Sequence, residues 1–311
     1  MFKKMTRRAF IKKSVAFSAS SLFGMSILSR CTRNTQQYVD ITVVTGGDYF
    51  QNTVEAVENL GGMGRFVPKG SRVAILANPQ RNNPGAYTKP EIVRAAIHMC
   101  KKAGAKDVSC LSWQPEQNWE NTGTKTVVDE EEANLIILNW KDETLFKPVP
   151  VPKGVALKEA RIMKVFFDYD VFIDLPITKD HAGNKFTGTL KNLMGLNSPQ
   201  NNRIFHKEGW KTDIDDITHL DQCIADLNTV IFPDLCIVDA TEFITTNGPF
   251  GPGELIKPQK VVVGTDRVAI DTYCSTLWGM KGTDIIHISK AYEHKLGEIN
   301  LEKVKIEELE I

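Results

Sequence analysis

The sequence lacks the paired cysteines that hold an iron–sulfur cluster or a structural zinc ion. Its six cysteines are scattered, and no two of them are spaced Cys-x-x-Cys. A ferredoxin-like module and a zinc ribbon are therefore excluded. The five cysteines that follow Cys31 are odd in number. They allow one or two disulfides in an oxidising compartment, but buried thiols that pack as small apolar groups are the favoured interpretation.

Long apolar runs and phosphate-binding glycine loops are also missing. The longest mildly apolar stretch, residues 14–28, is rich in serine and shorter than the roughly 20 residues that a membrane-spanning helix needs. No Gly-x-x-x-x-Gly-Lys-Ser/Thr or Gly-x-Gly-x-x-Gly pattern occurs. The sequence therefore gives no sign of an ordinary transmembrane helix or of these two nucleotide-binding loops.

Basic residues form no stripe along the main part of the chain. Seven of the 38 basic residues fall within residues 1–31, where no acid occurs, which leaves 31 basic against 38 acidic residues in the remainder. An acidic body with a net charge of −7 argues against nucleic acid as a partner. A hydrophobic content of 42% is typical of a globular protein.

The basic N-terminal segment has the pattern of an export signal. Arg7 and Arg8 are followed by Ala-Phe-Ile-Lys-Lys and then by the apolar stretch, which resembles a twin-arginine signal. We predict a signal over residues 1–31, a polar linker over 32–39 and one domain over 40–311. The resemblance implies the twin-arginine translocase as a partner and a periplasmic location. An amphipathic N-terminal helix is the alternative, and lipid attachment at Cys31 is the minority interpretation because Arg30 precedes it.

Apolar runs and helical patterns alternate from residue 40 onward. The runs at 40–44, 73–77, 108–112, 134–138, 165–175, 235–238 and 261–263 predict strands. Helices are predicted at 52–60, at 89–103 with Pro90 in the first turn and Gly104 after the end, from 189 and at 268–278. Residues 113–121 are predicted as a polar, aromatic loop, residues 148–152 as a proline-rich break between strands, and residues 213–221 as an acidic surface loop that leads into a helix. This alternation predicts an α/β fold with a mostly parallel sheet and helices on both faces, and it allows two lobes.

The segment after the strand at 169–174 is dense in donors and cations. It contains Lys179, His181, Lys185, Thr187, Lys191 and Asn192. Working groups gather beyond the carboxyl ends of strands in open α/β sheets, so this set suits an anionic ligand, with His181 as a proton carrier or metal ligand. A solvated loop with a structural histidine is the alternative. Further polar groups follow at Arg203 and His206.

A second group of candidates follows the strand at 235–238. The strand ends at Asp239, and a glycine-rich loop with Asn247, Gly248 and Gly251 comes next. Glycines let backbone amides approach a ligand closely, but a tight turn is an equal alternative. Asp266 suits a helix cap, whereas Asp271 lies one turn inside the helix and is a candidate ligand-binding residue.

In these residues the chain resembles the bacterial and archaeal domain of unknown function 362 family. The matching pieces are Asp174-Leu-Pro with Lys179 and His181, residues 187–195, Arg203 with His206, Asp239, residues 247–251 and residues 264–271. Some family members carry iron–sulfur modules, for which this chain lacks the cysteines. The family's Lys-Pro-Asn at the second strand reads Leu76-Ala77-Asn78, so Asn78 is kept as a ligand-binding candidate and the lysine is absent.

A more distant resemblance is to lactate racemase. The order His181, Lys191, His206 is similar to the site in which that enzyme holds a lysine-tethered nickel cofactor between histidines. The resemblance implies His181 and His206 as metal ligands for a metal ion or metal-bearing cofactor. No third ligand is evident, and two ligands make a weak metal site.

Three hypotheses for function follow. The first is an exported enzyme, metal-dependent or redox-linked with a redox partner protein, that acts on a small anionic ligand with His181, Lys191 and Asp239 as catalytic residues. The second is a non-catalytic anion- or cofactor-binding protein that uses the same cluster. The third is a partner-binding protein whose interface includes Trp113, Trp119 and Trp140, for which a core role is at least as good an interpretation.

Overall fold

A computed structural model describes residues 39–207 and 213–311. The predicted export signal, Cys31 and all of the predicted linker except Val39 lie outside the described residues. Within them, the arrangement of strands decides where a ligand site can form.

The described residues contain twelve β-strands. They are, in chain order, β1 (Ile41–Thr45), β2 (Arg72–Ala77), β3 (Asp107–Ser112), β4 (Asn134–Ile137), β5 (Phe146–Pro150), β6 (Glu159–Met163), β7 (Val171–Leu175), β8 (Leu235–Ala240), β9 (Phe243–Ile244), β10 (Leu255–Ile256), β11 (Lys260–Gly264) and β12 (Ile306–Glu310).

The helices of the described residues alternate with these strands. They are α1 (Tyr49–Asn59), α2 (Pro90–Lys102), α3 (Glu116–Asn121), α4 (Thr124–Glu130), α5 (Thr189–Asn192), α6 (Pro199–Phe205), α7 (Ile214–Leu227), α8 (Arg267–Thr276) and α9 (Ile286–Glu293). Short 3₁₀ turns lie at Met63–Arg65, Glu143–Leu145, Lys164–Asp168, Leu193–Leu196, Gly282–Asp284 and Leu301–Lys303.

Eight strands form the main sheet, in the order β12-β1-β11-β8-β7-β2-β3-β4. Strand β11 runs antiparallel to both of its neighbours, and every other pair in this sheet is parallel. Strands β9 and β10 pair with each other, as do β5 and β6. The predicted α/β fold with a mostly parallel sheet is therefore confirmed.

Both faces of the sheet are covered by helices. In β2 the side chains of Val73 and Ile75 pack with helices α1 to α4, whereas Ala74 and Leu76 pack with α5 to α9 and the β5–β6 hairpin. The continuous apolar run of β2 is thus explained, because each side chain is buried whichever way it points. Val39–Ile311 form one compact unit in place of the two lobes that the sequence allowed.

Several local predictions were wrong. Residues 113–121, predicted as a loop, include α3, whose Trp119 is fully buried in the core. The proline-rich stretch at 148–152 belongs mainly to β5, and the start of the strand predicted at 165–175 is a 3₁₀ turn. Residues 213–221 were predicted as an acidic surface loop that leads into a helix; the helix, α7, already begins at Ile214 and is capped by Asp213.

The sheet changes its winding direction between β2 and β7. From β2 the chain adds β3 and β4 on one side, and it later adds β7 and β8 on the other. In open α/β sheets this switch point leaves a crevice beyond the carboxyl ends of the strands. Ala77 and Leu175, the last residues of β2 and β7, are paired at this position.

Two further findings bear on the sequence analysis. In the described part of the chain, no helix has both the length and the apolar character required to cross a bilayer. The cysteines at 100, 110, 223, 236 and 274 are all buried and unbonded, which agrees with the favoured interpretation as apolar thiols.

Candidate functional site

A cavity of about 370 Å³ lies at the switch point. Its wall includes the chain that follows β2, the chain that follows β3 and the turn at His181 beyond β7. The polar residues around it are Asn78, Gln80, Ser112, Gln114, His181, Thr187, Lys191, Asn192, Asn202 and His206. The larger apolar residues are Leu76, Trp113, Met194, Ile217, Leu220 and Phe250. A volume of this size suits a small organic ligand.

Lys191 is held in the wall by a buried cap on its helix. The carboxylate of Asp271 accepts hydrogen bonds from the backbone N–H of Thr189 at 2.7 Å and of Leu190 at 2.9 Å. A Cβ at Gly188 would lie 2.3 Å from Oδ1 of Asp271, so only glycine lets the chain approach this carboxylate. Asp271 therefore fixes the start of α5 instead of contacting a ligand in the cavity.

The Lys191 ammonium has weak partners. Its Nζ lies 3.7 Å from Sδ of Met194, and no carboxylate of the described residues lies within ion-pair distance. Burial lowers the pKa of Lys191 to about 8, although Asp221 acts in the opposite direction. At neutral pH the cavity therefore holds a largely protonated amine that lacks an adjacent counter-ion.

The turn that carries His181 is fastened by a neighbouring glycine. The N–H of Gly248 donates to Oδ2 of Asp180 at 2.8 Å, and the N–H of Ala182 donates to the carbonyl of Gly248 at 3.2 Å. A Cβ at Gly248 would lie 1.8 Å from the carbonyl oxygen of Asp180. The glycine-rich loop thus serves to position the His181 turn, and its Pro249 and Phe250 line the cavity.

Both cavity histidines are neutral at physiological pH. Burial and the charge of Lys191 lower the pKa of His181 well below its ordinary value. The same two causes lower the pKa of His206 to about 3. Nδ1 of His181 accepts the N–H of Gly183 at 3.3 Å, so in the neutral ring the proton lies on Nε2.

Lys179 lies behind the cavity wall and is fully buried. Its Nζ donates to the carbonyl of Ala86 at 2.6 Å and contacts the side-chain oxygens of Asn78 and Gln80, each at 3.4 Å. Burial, together with the charge of Lys191, lowers its pKa to about 7. Lys179 therefore orients two amides that line the cavity and does not itself reach it.

Side-chain amides form one wall through a directional chain of hydrogen bonds. Asn78 accepts from Lys179 and donates to Oδ1 of Asn192 at 3.1 Å. Asn192 in turn donates to Oδ1 of Asp174 at 2.7 Å. Burial raises the pKa of Asp174 well above its ordinary value. These hydrogen bonds fix the orientation of the side-chain amides of Asn78 and Asn192.

Two buried polar atoms of cavity residues have no hydrogen-bond partner among the described residues. They are Oγ1 of Thr187, whose side chain is 4% exposed, and Nε1 of Trp113. A buried polar group without a partner costs about 1–3 kcal/mol. Both atoms are buried within the cavity wall, so a ligand in the cavity does not reach them in this arrangement of the side chains.

Several predicted site residues do not line the cavity. Lys185, Arg203 and Asn247 are exposed. Asp239 accepts the N–H of Lys89 at 2.8 Å and both the N–H and the hydroxyl of Thr241. Gly251 donates its N–H to the carbonyl of Asn247 at 3.0 Å, so this amide is not presented to a ligand.

A buried group behind the cavity was missed by the sequence analysis. Nδ1 of His287 lies 3.0 Å from Oδ1 of Asp221, and Asn184 donates to the same oxygen. The sequence predicted Asp221 in a surface loop, and His287 lies far away in the chain. Only the helical spacing of residues 214–227, with apolar positions at 217, 220 and 224, could have revealed that Asp221 faces inward.

The described residues do not provide a complete site for a bare metal ion. They contain no cluster of three or more His, Cys, Asp or Glu side chains suited to one. His181 would also have to give up its contact with Gly183 to present an unprotonated Nε2. His181 and His206 line the same cavity, but their role as metal ligands stays a prediction.

The family comparison matches most of this region. A family model described as Domain of unknown function (DUF362) matches residues 73–276. This range includes all of the cavity residues and Asp221 but not His287. The thylakoid-associated protein sll1697 of Synechocystis sp. is 30% identical over 203 residues. The match covers 62% of this chain and 59% of that protein, so the chain spans less than two thirds of this relative.

Among solved structures, the lactate racemase apoprotein of Thermoanaerobacterium thermosaccharolyticum is a distant match. The TM-score is 0.43 at 15% sequence identity, over 65% of this chain and 50% of that chain.

Proposed function

The chain belongs to the family called Domain of unknown function (DUF362), and from that premise we propose that it is an exported enzyme that binds a small organic anion in the switch-point cavity. The observation that carries the proposal is the meeting of the Lys191 ammonium with two neutral imidazoles in one cavity. Lys191 would hold the anionic group.

His181 would carry a proton once the anion is bound. In the free protein, burial and the charge of Lys191 keep its imidazole neutral. A bound anion offsets the second of these causes, so the pKa of His181 rises toward the range in which general acid–base catalysis is efficient. Binding should therefore be accompanied by proton uptake, which isothermal titration calorimetry in buffers of different ionisation enthalpy detects.

The test of binding is a pair of matched lysine variants. We expect Lys191→Met to abolish the thermal shift that small carboxylates or inorganic phosphate produce in the wild-type protein. Lys185→Met is the control, because Lys185 belongs to the same segment but is exposed and outside the cavity. Folded Lys191→Met protein that binds these anions as the wild type does would refute the proposal.

A non-catalytic binding protein is the alternative, and His181→Gln separates the two. An enzyme that moves protons should bind carboxylates in this variant but no longer introduce solvent deuterium into them, as followed by NMR in D₂O. If the protein only binds the anion, neither the wild type nor His181→Gln introduces deuterium. The metal content of protein purified through its native export route tests the proposed metal-bearing cofactor separately.

A further inference from the structure

The buried pair Asp221 and His287 joins two helices directly behind the cavity. Asp221 is 1% exposed and His287 is fully buried. Asp221 belongs to α7 and His287 to α9, and both helices pack against α5, which carries Lys191. The ring of His287 also lies against Phe186, with 6.1 Å between the ring centroids. A carboxylate enclosed in this way needs hydrogen-bond donors, and His287 supplies one.

The second donor to Asp221 comes from the turn that carries His181. Asn184, which is 2% exposed, donates from Nδ2 to Oδ1 of Asp221. The same turn closes through the N–H of Lys185, which donates to the carbonyl of His181 at 2.9 Å. The side chain of Asn184 thus ties the turn to α7, whereas Gly248 holds it from the opposite loop.

Asp221 is also the acid whose charge opposes those of the cavity. Among the described residues, Lys179, His181 and His206 also interact with the charge of Lys191, and none of these three carries a negative charge. Asp221 is the group that favours the charged form of Lys191, and so acts to raise its pKa. The carboxylate of Asp221 therefore accepts a hydrogen bond from the His181 turn and also favours the charged form of Lys191.

We infer that Asp221, fixed by His287, is the positioning residue of this cavity: it anchors the His181 turn through Asn184 and keeps the Lys191 ammonium charged for anion binding. The inference rests on the proposed function for its anion. Its electrostatic part can be tested without any ligand.

The first measurement is an NMR titration of the Lys191 Cε resonance, assigned by its absence in Lys191→Met. We expect Asp221→Asn to lower the pKa of Lys191 by about one unit. Asp226→Asn is the matched control. Asp226 is fully buried on the same helix and accepts at 2.7 Å from His294, which follows α9, but none of its hydrogen-bond partners belongs to the His181 turn. Folded Asp221→Asn protein with an unchanged Lys191 titration would overturn the inference.

The second measurement covers the case in which Asp221→Asn does not fold. Asn184→Ala keeps the carboxylate but removes the tether, so we expect the affinity for small carboxylates to fall about tenfold with little change in the Lys191 titration. An unchanged affinity would exclude the anchoring role. If the wild type binds none of these anions but Asp221→Asn still shifts the titration, the proposed function fails while the electrostatic role of Asp221 stands.

Discussion

The charge of Lys191 destabilises the folded protein at neutral pH. In the unfolded chain its amine stays protonated up to the ordinary pKa of 10.5, whereas in the folded protein the pKa is about 8. Between these values the unfolded state binds more protons, so the stability contributed by this group rises with pH from about 8 to 10.5. Below pH 8 the destabilisation by this half-buried charge is fully present.

We therefore expect Lys191→Met to stabilise the protein at pH 7. The gain should be on the order of 2 kcal/mol, allowing for water in the cavity, and it should shrink as the pH rises through 8 toward 10.5. Urea unfolding at pH 7 and pH 10 measures it, with the exposed Lys185→Met as the control. A gain that is the same at both pH values would show that it arises from packing and not from charge.

The affinity for anions should fall as the pH rises, whereas the stability contributed by Lys191 rises. We expect affinity for small carboxylates to fall as the pH rises through about 8, because Lys191 then loses its charge. His181 is neutral in the free protein and takes up a proton on binding, so the affinity should rise further as the pH falls from neutral toward about 6. Titration calorimetry across this range checks both statements.

The sequence identified the residue types of the site but not the direction in which each side chain points. Lys179 and Lys191 were both predicted to belong to the anion-binding set, yet Lys179 lies behind the cavity wall and Lys191 lies in it. Asp239 follows a strand as a catalytic acid would, but backbone N–H groups occupy its oxygens. Such differences depend on pairs of residues far apart in the chain, which no local pattern contains.

At the scale of elements, Gly248 decides where the His181 turn lies. We expect Gly248→Ala to destabilise the protein by about 2 kcal/mol, because its Cβ would overlap the carbonyl of Asp180. If Gly248→Ala folds, it should bind carboxylates more weakly, because the His181 turn must move. Gly47→Ala is the control, as a Cβ there meets nothing within 4 Å. Equal melting temperatures and affinities for the two variants would contradict this account.

The predictable elements were those with strong local signals. Strand β2 has an uninterrupted apolar run, and α2 has Pro90 at its start and Gly104 just beyond its end. The β5–β6 hairpin was missed because Pro148 and Pro150 disfavour a strand, although they are tolerated in a two-stranded ribbon with open edges. Helix α3 was missed because it is short and polar apart from Trp119.

At the scale of the whole molecule, the proposed export depends on the N-terminal arginine pair. We expect conservative replacement of both residues, Arg7→Lys with Arg8→Lys, to retain the protein in the cytoplasm, because the twin-arginine signal is read by a receptor and not by charge alone. Lys12→Arg with Lys13→Arg is the matched control and should leave export intact. Cell fractionation measures both, and equal export of the two variants would refute the signal.

The position of β1 has a consequence for synthesis. This strand, the first in the described chain, is flanked in the sheet by β11 and β12, which are the last two. A nascent chain on the ribosome therefore carries β1 with both edges bare until nearly all of the remainder has been translated. Pairing of β1 therefore waits for β11 and β12, so a product that stops before β11 would expose an apolar edge that quality-control chaperones can recognise.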